Sequence, residues 1–341
     1  MPAFWAVRKT FPDAQLTLLT NTDVKNPNYI AAQQVLPGKN LFDATINYPS
    51  GVSKFSSPGS FYRLWREIRS GKFDAAVYLM TRNRSIRQIQ RDVFFFRLAG
   101  IRKVFGVDYL KKNIVDAEKM VSQTKTDREG DFLLESLWMD GFPIKTGTDF
   151  FPELLLTPEE KRFALDWLKK KTREGGKTPV FIGVAPGSKW ESKVWEEGRF
   201  ARVVAELIRE KNVFPIVFGG REDKEKGDRL VAVWKRGCNA AGELNIRQAA
   251  AALENCRLYL GNDTGTMHLA ASVGVRCVAI FAAIDLPGRW EPNGDGHRIF
   301  RRRVECAGCL TPVCFNRNKC LDLVGVGEVA EACLEILEGK N

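Results

Sequence analysis

Apolar positions along the chain follow two rhythms. Short runs rich in β-branched and aromatic residues, such as Gln15 to Leu19, Phe73 to Leu79 and Arg102 to Val107, read as strands. Between them apolar residues recur every three or four positions. Phe61, Leu64, Trp65 and Ile68 predict one helix, and the stretch from Ser85 to Leu98, closed by Gly100, predicts another. Alternation of this kind predicts a parallel sheet covered by helices.

Near the middle, Thr157, Pro158 and Glu160 occupy the N-cap, first and third positions of a helix that should run to about Arg173. Glu174 to Pro179 then breaks the pattern and serves as the linker. The alternation restarts beyond it. Val180 to Ala185, Val213 to Phe218, Leu258 to Leu260 and Arg276 to Phe281 read as strands, while Phe200, Val203, Val204, Leu207 and Ile208 form one apolar helical stripe. The expected organisation is α/β with two doubly wound Rossmann-like domains. Residues 1–173 form the first, residues 174–325 the second, and 326–341 a closing helix. Ligands are expected at the carboxyl ends of the second domain's strands.

Composition supports this division. A chain of 341 residues, 44% apolar, exceeds the size at which one core keeps growing. No apolar run reaches membrane-spanning length, and the segment from Met1 to Arg8 lacks the pattern of a signal peptide, so a cytoplasmic protein is expected. The net charge of +11 favours anionic partners, among them the inner face of the cytoplasmic membrane. Basic residues are scattered, in short groups such as Lys169 to Lys171 and Arg301 to Arg303. No nucleic-acid module is recognisable, and nucleic acid is not an expected partner.

Three strand-to-loop junctions of the second half carry polar signatures. Pro186, Gly187 and Ser188, with Lys193 and Trp195 behind them, combine close backbone approach, a hydroxyl donor and a point charge suited to phosphate. At Gly219 and Gly220 paired glycines end a strand and Glu222 follows, a carboxylate able to accept from ribose or sugar hydroxyls. Asn262, Asp263, Thr264, Gly265 and His268 form a turn into a helix whose N-terminus suits a diphosphate. Each junction has a plainer reading: a surface loop, a turn, or a cap with a core histidine. Gly325, Gly327 and Ala330 imitate a dinucleotide fingerprint, yet no second strand or ribose-binding acid follows, and the segment reads as the cap of a final helix.

These three junctions in this order, followed by Asp285, Leu286, Pro287, Arg289 and Trp290, resemble the ADP-heptose:lipopolysaccharide heptosyltransferases of glycosyltransferase family 9. The resemblance implies a GT-B fold of two domains facing a cleft, and an inverting transfer of heptose or a related sugar. The donor would be a nucleotide-diphosphate sugar such as ADP-heptose, and the acceptor a lipopolysaccharide-core glycolipid or oligosaccharide. Carried onto this chain, Ser188 and Lys193 would contact the diphosphate, Glu222 the ribose, and Asp263, Thr264, Gly265 and His268 the phosphates and sugar. Lys193 and Asp263 are the residues expected to matter for catalysis. The family requires no metal for its chemistry.

Pro2 to Ala14 resembles the family's first helix and following turn, so the family's preceding strand, with its Gly-Asp loop and proposed general base, is expected to be missing. Asp13 falls in the later turn and is no substitute. No general base is assigned, and a catalytically inactive nucleotide-sugar-binding relative stands as the alternative.

Eight cysteines in an unexported chain suggest thiols or metal ligands before disulfides. Cys238, Cys256, Cys277 and Cys333 stand apart in apolar surroundings and read as buried thiols. Cys306, Cys309, Cys314 and Cys320 are clustered. A structural zinc site, reduced structural thiols, and redox or disulfide chemistry are the three readings open to them.

Overall fold

The computed structural model describes residues 2–23, 30–36, 41–49, 58–116, 120, 122, 124–144, 154–172 and 179–339. Its contacts divide the chain into two units. One comprises Met1–Ala117 with Asp127–Pro152, the other Glu118–Thr126 with Glu153–Asn341.

In the first unit the order is α1 (Pro2–Thr10), β1 (Thr17–Thr22), α2 (Ala32–Val35), β2 (Ala44–Pro49), α3 (Pro58–Ser70), β3 (Ala75–Val77), α4 (Ile86–Leu98), β4 (Lys103–Phe105), α5 (Asp108–Lys112) and α6 (Glu129–Met139). β1 pairs with β2 and β3 with β4, both in parallel. Side chains explain where these strands deviate from expectation. The Leu16 N–H donates to the Asp43 carboxylate at 2.7 Å, which Arg8 also contacts, so the first strand begins two residues late. Asp140 collects the N–H groups of Val107, Asp108 and Tyr109, which ends the fourth strand early and starts α5. Ser85 caps α4, its hydroxyl accepting from the Gln88 N–H while the Gln88 side chain accepts from the Ser85 N–H. Gly100, at φ +98°, turns the chain out of α4 as expected.

The second unit contains α7 (Pro158–Thr172), β5 (Phe181–Ala185), α8 (Glu197–Lys211), β6 (Phe214–Val217), α9 (Lys224–Trp234), β7 (Cys238–Asn239), α10 (Ile246–Glu254) and β8 (Leu258–Asn262). It continues with α11 (Gly265–Ser272), β9 (Cys277–Phe281), β10 (Arg298–Arg301), α12 (Lys319–Asp322) and α13 (Val326–Glu338). All six strands are parallel, in the order β10-β9-β8-β5-β6-β7. Phe200, Val203, Val204 and Leu207 bury the predicted stripe of α8 against the sheet, each contributing about 1.5–3 kcal/mol of transfer free energy. Gly325 caps α13 with backbone φ −78°, as read from sequence, and no dinucleotide loop forms there.

The expected boundary at 173/174 does not match the observed grouping. Thr157 and Glu160 form the predicted capping box of α7, but the Glu160 carboxylate is also gripped by Arg247 of α10, and Lys161 pairs with Glu254 at 2.8 Å. These contacts place α7 with the second unit, and α13 packs into the same core rather than forming a separate segment. The linker read at 174–179 lies outside the described residues apart from Pro179.

Candidate functional site

In the sheet order of the second unit the chain runs outward from β5 through β6 to β7. It then returns to the other side of β5 as β8 and continues through β9 to β10. The order therefore reverses between β5 and β8. In open α/β sheets such a reversal is where ligands bind, outside the carboxyl ends of the strands. The first predicted junction, Pro186 to Trp195, leaves β5; the third, Asp263 to Gly265, leaves β8.

Asn262, the last residue of β8, ties the two loops together. Its side chain is fully buried; Nδ2 donates to the carbonyls of Pro186 at 2.9 Å and Gly187 at 3.4 Å, and Oδ1 accepts from the Trp195 N–H at 3.1 Å. Trp195 is itself buried edge-on against Phe200. The loop between them is thereby held so that the Lys193 Nζ lies 2.6 Å from Asp263 Oδ2. Ser188 Oγ donates to the Asp263 carbonyl at 3.5 Å.

The next residues begin α11. Thr264 has the extended conformation of an N-cap, while its hydroxyl makes no capping hydrogen bond. Gly265 has no neighbouring heavy atom within 4 Å of where a Cβ would stand, so the helix start presents open backbone. Tyr259 Oη meets Thr266 Oγ1 at 2.8 Å and braces the first turn from below. His268 is exposed on α11 rather than buried in the core. The arrangement presents a cation, two hydroxyls and the positive end of a helix around one crevice, a chemistry suited to anionic oxygens.

The second junction lies beside the first. Gly219 and Gly220 lead into a short 3₁₀ turn, Arg221–Asp223, where Glu222 is exposed. The sequence reading singled out Glu222, but Asp223 is the acid that fills the space between the junctions. A Cβ on Gly187 would meet its carboxylate at 1.9 Å and one on Gly219 at 2.5 Å. Burial pushes the Asp223 carboxyl above its usual range, against the hydrogen bond from the Gly220 N–H.

A further group was legible only as a resemblance. Asp285 accepts from the Leu286 N–H at 2.7 Å, from Trp290 Nε1 at 2.7 Å and from Arg289 Nη1 at 3.3 Å. The fully buried Arg289 lies over the Trp290 ring. A small cleft runs from Asp263 past Asp285 and Trp290 to Glu291 and Arg301.

The four clustered cysteines lie on the segment between β10 and α13. Among the described residues no group of three or more His, Cys, Asp or Glu side chains converges as metal ligands. Each sulfur accepts a hydrogen bond: Cys314 from the Asn316 and Asn318 N–H groups, Cys306 from Asn316 Nδ2, Cys309 from Thr311 Oγ1, and Cys320 from the Ala283 N–H. All eight cysteines are free thiols. Cys256, Cys277 and Cys333 are buried as expected, and Cys238 is half-buried.

A doubly wound parallel sheet with lysine, hydroxyls and a helix start at its switch point is the arrangement of α/β proteins whose ligands bind at the strand ends. The particular kind is set by comparison: the chain belongs to glycosyltransferase family 9 (heptosyltransferase), whose description matches residues 61–319. It is 26% identical over 290 residues to lipooligosaccharide heptosyltransferase 2 of Haemophilus influenzae, covering 82% of this chain and 80% of that protein. It is 22% identical over 298 residues to lipopolysaccharide heptosyltransferase 3 of Escherichia coli, covering 83% and 79%. Among solved structures it is similar to the family 9 glycosyl transferase of Veillonella parvula, with a TM-score of 0.73, 20% identity and coverage of 99% and 92%. The E. coli ADP-heptose lps heptosyltransferase II gives a TM-score of 0.67 at 16% identity, covering 99% and 94%. The fold is GT-B, and the chain is a glycosyltransferase.

Proposed function

We propose that the chain transfers heptose, or a closely related sugar, from a nucleoside-diphosphate sugar to a lipopolysaccharide-core or similar acceptor, with inversion at the anomeric carbon. The observation that carries this reading is the meeting of Lys193 and Asp263 at the start of α11, where the sheet order reverses. The diphosphate would lie over the open backbone at Gly265, within reach of Lys193, Ser188 and Thr264. Glu222, exposed at the neighbouring junction, would accept from the ribose hydroxyls.

In the reaction an acceptor hydroxyl oxygen forms a bond to the anomeric carbon as the bond from that carbon to the diphosphate oxygen breaks. The hydroxyl proton passes to solvent, and the nucleoside diphosphate leaves with the electron pair of the broken bond. Charge developing on the leaving diphosphate strengthens its interaction with Lys193 and the helix end, so this side of the site favours the transition state over the ground state. Asp263 holds the lysine in place, and through its carboxylate can accept from a sugar hydroxyl. Relatives named for heptose transfer support the choice of donor sugar.

The test is a panel of nucleoside-diphosphate sugars offered with core-oligosaccharide acceptors. Transfer of heptose from ADP-heptose, with the product anomer opposite to the donor's, is the expected result. Efficient transfer from another sugar class, or retention of configuration, would overturn the proposal.

A further inference from the structure

A second surface, in the first unit, is built for a different partner. Helices α3 and α4 lie side by side, joined where Trp65 Nε1 donates to the Leu98 carbonyl at 3.2 Å and where Phe61 and Phe95 meet edge to face, their centroids 5.0 Å apart. Each helix turns only a narrow stripe to the core: Ile68 on α3, and Ile89 and Val93 on α4. The flank left outside is unusually apolar. Phe94 is 67% exposed, Tyr62 58%, Leu98 49% and Phe61 44%. At helical spacing Phe94 and Leu98 share one stripe of α4, and Phe61, Tyr62 and Trp65 border it from α3. Large aromatic side chains standing together in water mark an interaction surface rather than ordinary scatter.

The charge around this patch has one sign. The two helices carry Arg63, Arg66, Arg69, Arg87, Arg91 and Arg97 against only Glu67 and Asp92. Arg91 is bound to Asp92, and Arg69 lies over the Trp65 ring. Arg66, Arg87 and Arg97 are exposed. A second copy of the chain docking face to face would set these arginines against one another, which disfavours self-association through this patch. An anionic lipid surface complements both features at once. Arginines engage the headgroups, and amphipathic aromatics settle at the boundary with the acyl chains.

We propose that α3 and α4 form a peripheral docking face for an anionic phospholipid surface, with Phe94, Tyr62 and Leu98 entering the interface and Arg66, Arg87 and Arg97 holding the headgroups. No helix among the described residues is long and apolar enough to cross a membrane, so attachment through this face would be reversible.

Co-sedimentation of the full chain with two kinds of vesicle tests the proposal: phosphatidylcholine alone, and phosphatidylcholine mixed with phosphatidylglycerol. Binding should require the anionic lipid and weaken as salt rises. Neutralising Arg66, Arg87 and Arg97 to glutamine should each cost roughly fivefold in affinity. Phe94→Ser should cost about tenfold while leaving the salt dependence in place. The control is Lys169→Gln with Lys170→Gln, an exposed pair on α7 that removes charge from the other unit. If the control lost as much binding as the arginine variants, net charge and not this face would be responsible. Equal binding to both vesicles would overturn the proposal, as would a patch that instead controls dimerisation measured by sedimentation velocity.

Discussion

Lys193 and Asp263 stand 70 residues apart in sequence and 2.6 Å apart in space, on loops leaving adjacent strands. Their side chains are 19% and 9% exposed, so the pair is sheltered but reachable from the crevice. An incoming diphosphate would therefore meet a lysine already aimed and already balanced by a carboxylate. Lys193→Ala removes the cation and leaves Asp263 as uncompensated negative charge where the proposed diphosphate would sit. Turnover should fall roughly 10²–10³-fold, by analogy with the loss of one preorganised donor. Steady-state kinetics with a thermal-melt control checks this. Unchanged turnover and donor affinity would remove Lys193 from the phosphate site.

Asn262 should matter for a different reason. Its side chain is fully buried and satisfies the Gly187 carbonyl and the Trp195 N–H, and supplies the shorter of two bonds to the Pro186 carbonyl, which Lys226 Nζ also reaches at 3.5 Å. Asn262→Ala removes all three bonds, leaves the Gly187 carbonyl and the Trp195 N–H unpaired, and should cost about 1–3 kcal/mol. Chemical denaturation would show the loss, and Lys193 should lose its alignment with it. A variant with wild-type stability and wild-type kinetics would contradict the role described for the side chain.

Much of the second unit was legible because its signals are local. The capping box at Thr157, the stripe from Phe200 to Ile208 and the short apolar runs ending in glycine each imply an element without reference to the rest of the chain. Ser188, Lys193, Asp263, Thr264 and Gly265 stand out as candidates for the same reason: each lies beyond such a run. The sequence places Asn262 in a motif but does not mark it as the residue that organises the site, because its partners are 67 to 76 residues away. Nothing local in the sequence says which of the adjacent acids, Glu222 or Asp223, turns inward. In the first unit, β2 and α6 went unread. The segment from Ala44 to Pro49 mixes Thr, Asn and Pro with few buried positions, and Glu129–Met139 is apolar without a clear stripe.

Glu160 offers a pH-dependent test of why α7 belongs to the second unit. The hydrogen-bonded Arg247 guanidinium holds its carboxyl below the ordinary value near 4.5. A carboxyl with a lowered folded-state value stabilises the fold fully above its unfolded value, and that contribution is lost as pH falls through the folded one. Glu160→Gln keeps an acceptor for the Thr157 cap but removes the charge. Its melting temperature should lie below wild type at neutral pH and converge with it in strong acid. A constant difference across this range would mean that the ion pair is not the cause.

Thiol reactivity should separate the cysteines by position, because the thiolate and not the thiol is the nucleophile. Burial pushes Cys256, Cys277 and Cys333 well above the usual thiol range, and pushes Cys238 up to about 12. Cys320 is also raised by burial. Cys306, Cys309 and Cys314 are only half-buried, on the segment that Ser192 holds through the Thr311 and Pro312 carbonyls. Native protein treated with iodoacetamide should be labelled first at these three, and at Cys256, Cys277 and Cys333 only after unfolding. Mass spectrometry of the digested protein gives the order directly. The same experiment bears on zinc, since a metal bound by the cluster would protect all four of its thiols and expose them on chelation. Early, chelator-independent labelling of Cys306, Cys309 and Cys314 is the outcome expected from half-buried thiols whose sulfurs accept only hydrogen bonds from Asn316, Thr311 and Asn318. Protection of those three that disappears with a chelator, together with about one zinc per chain in elemental analysis, would replace that account with a metal site.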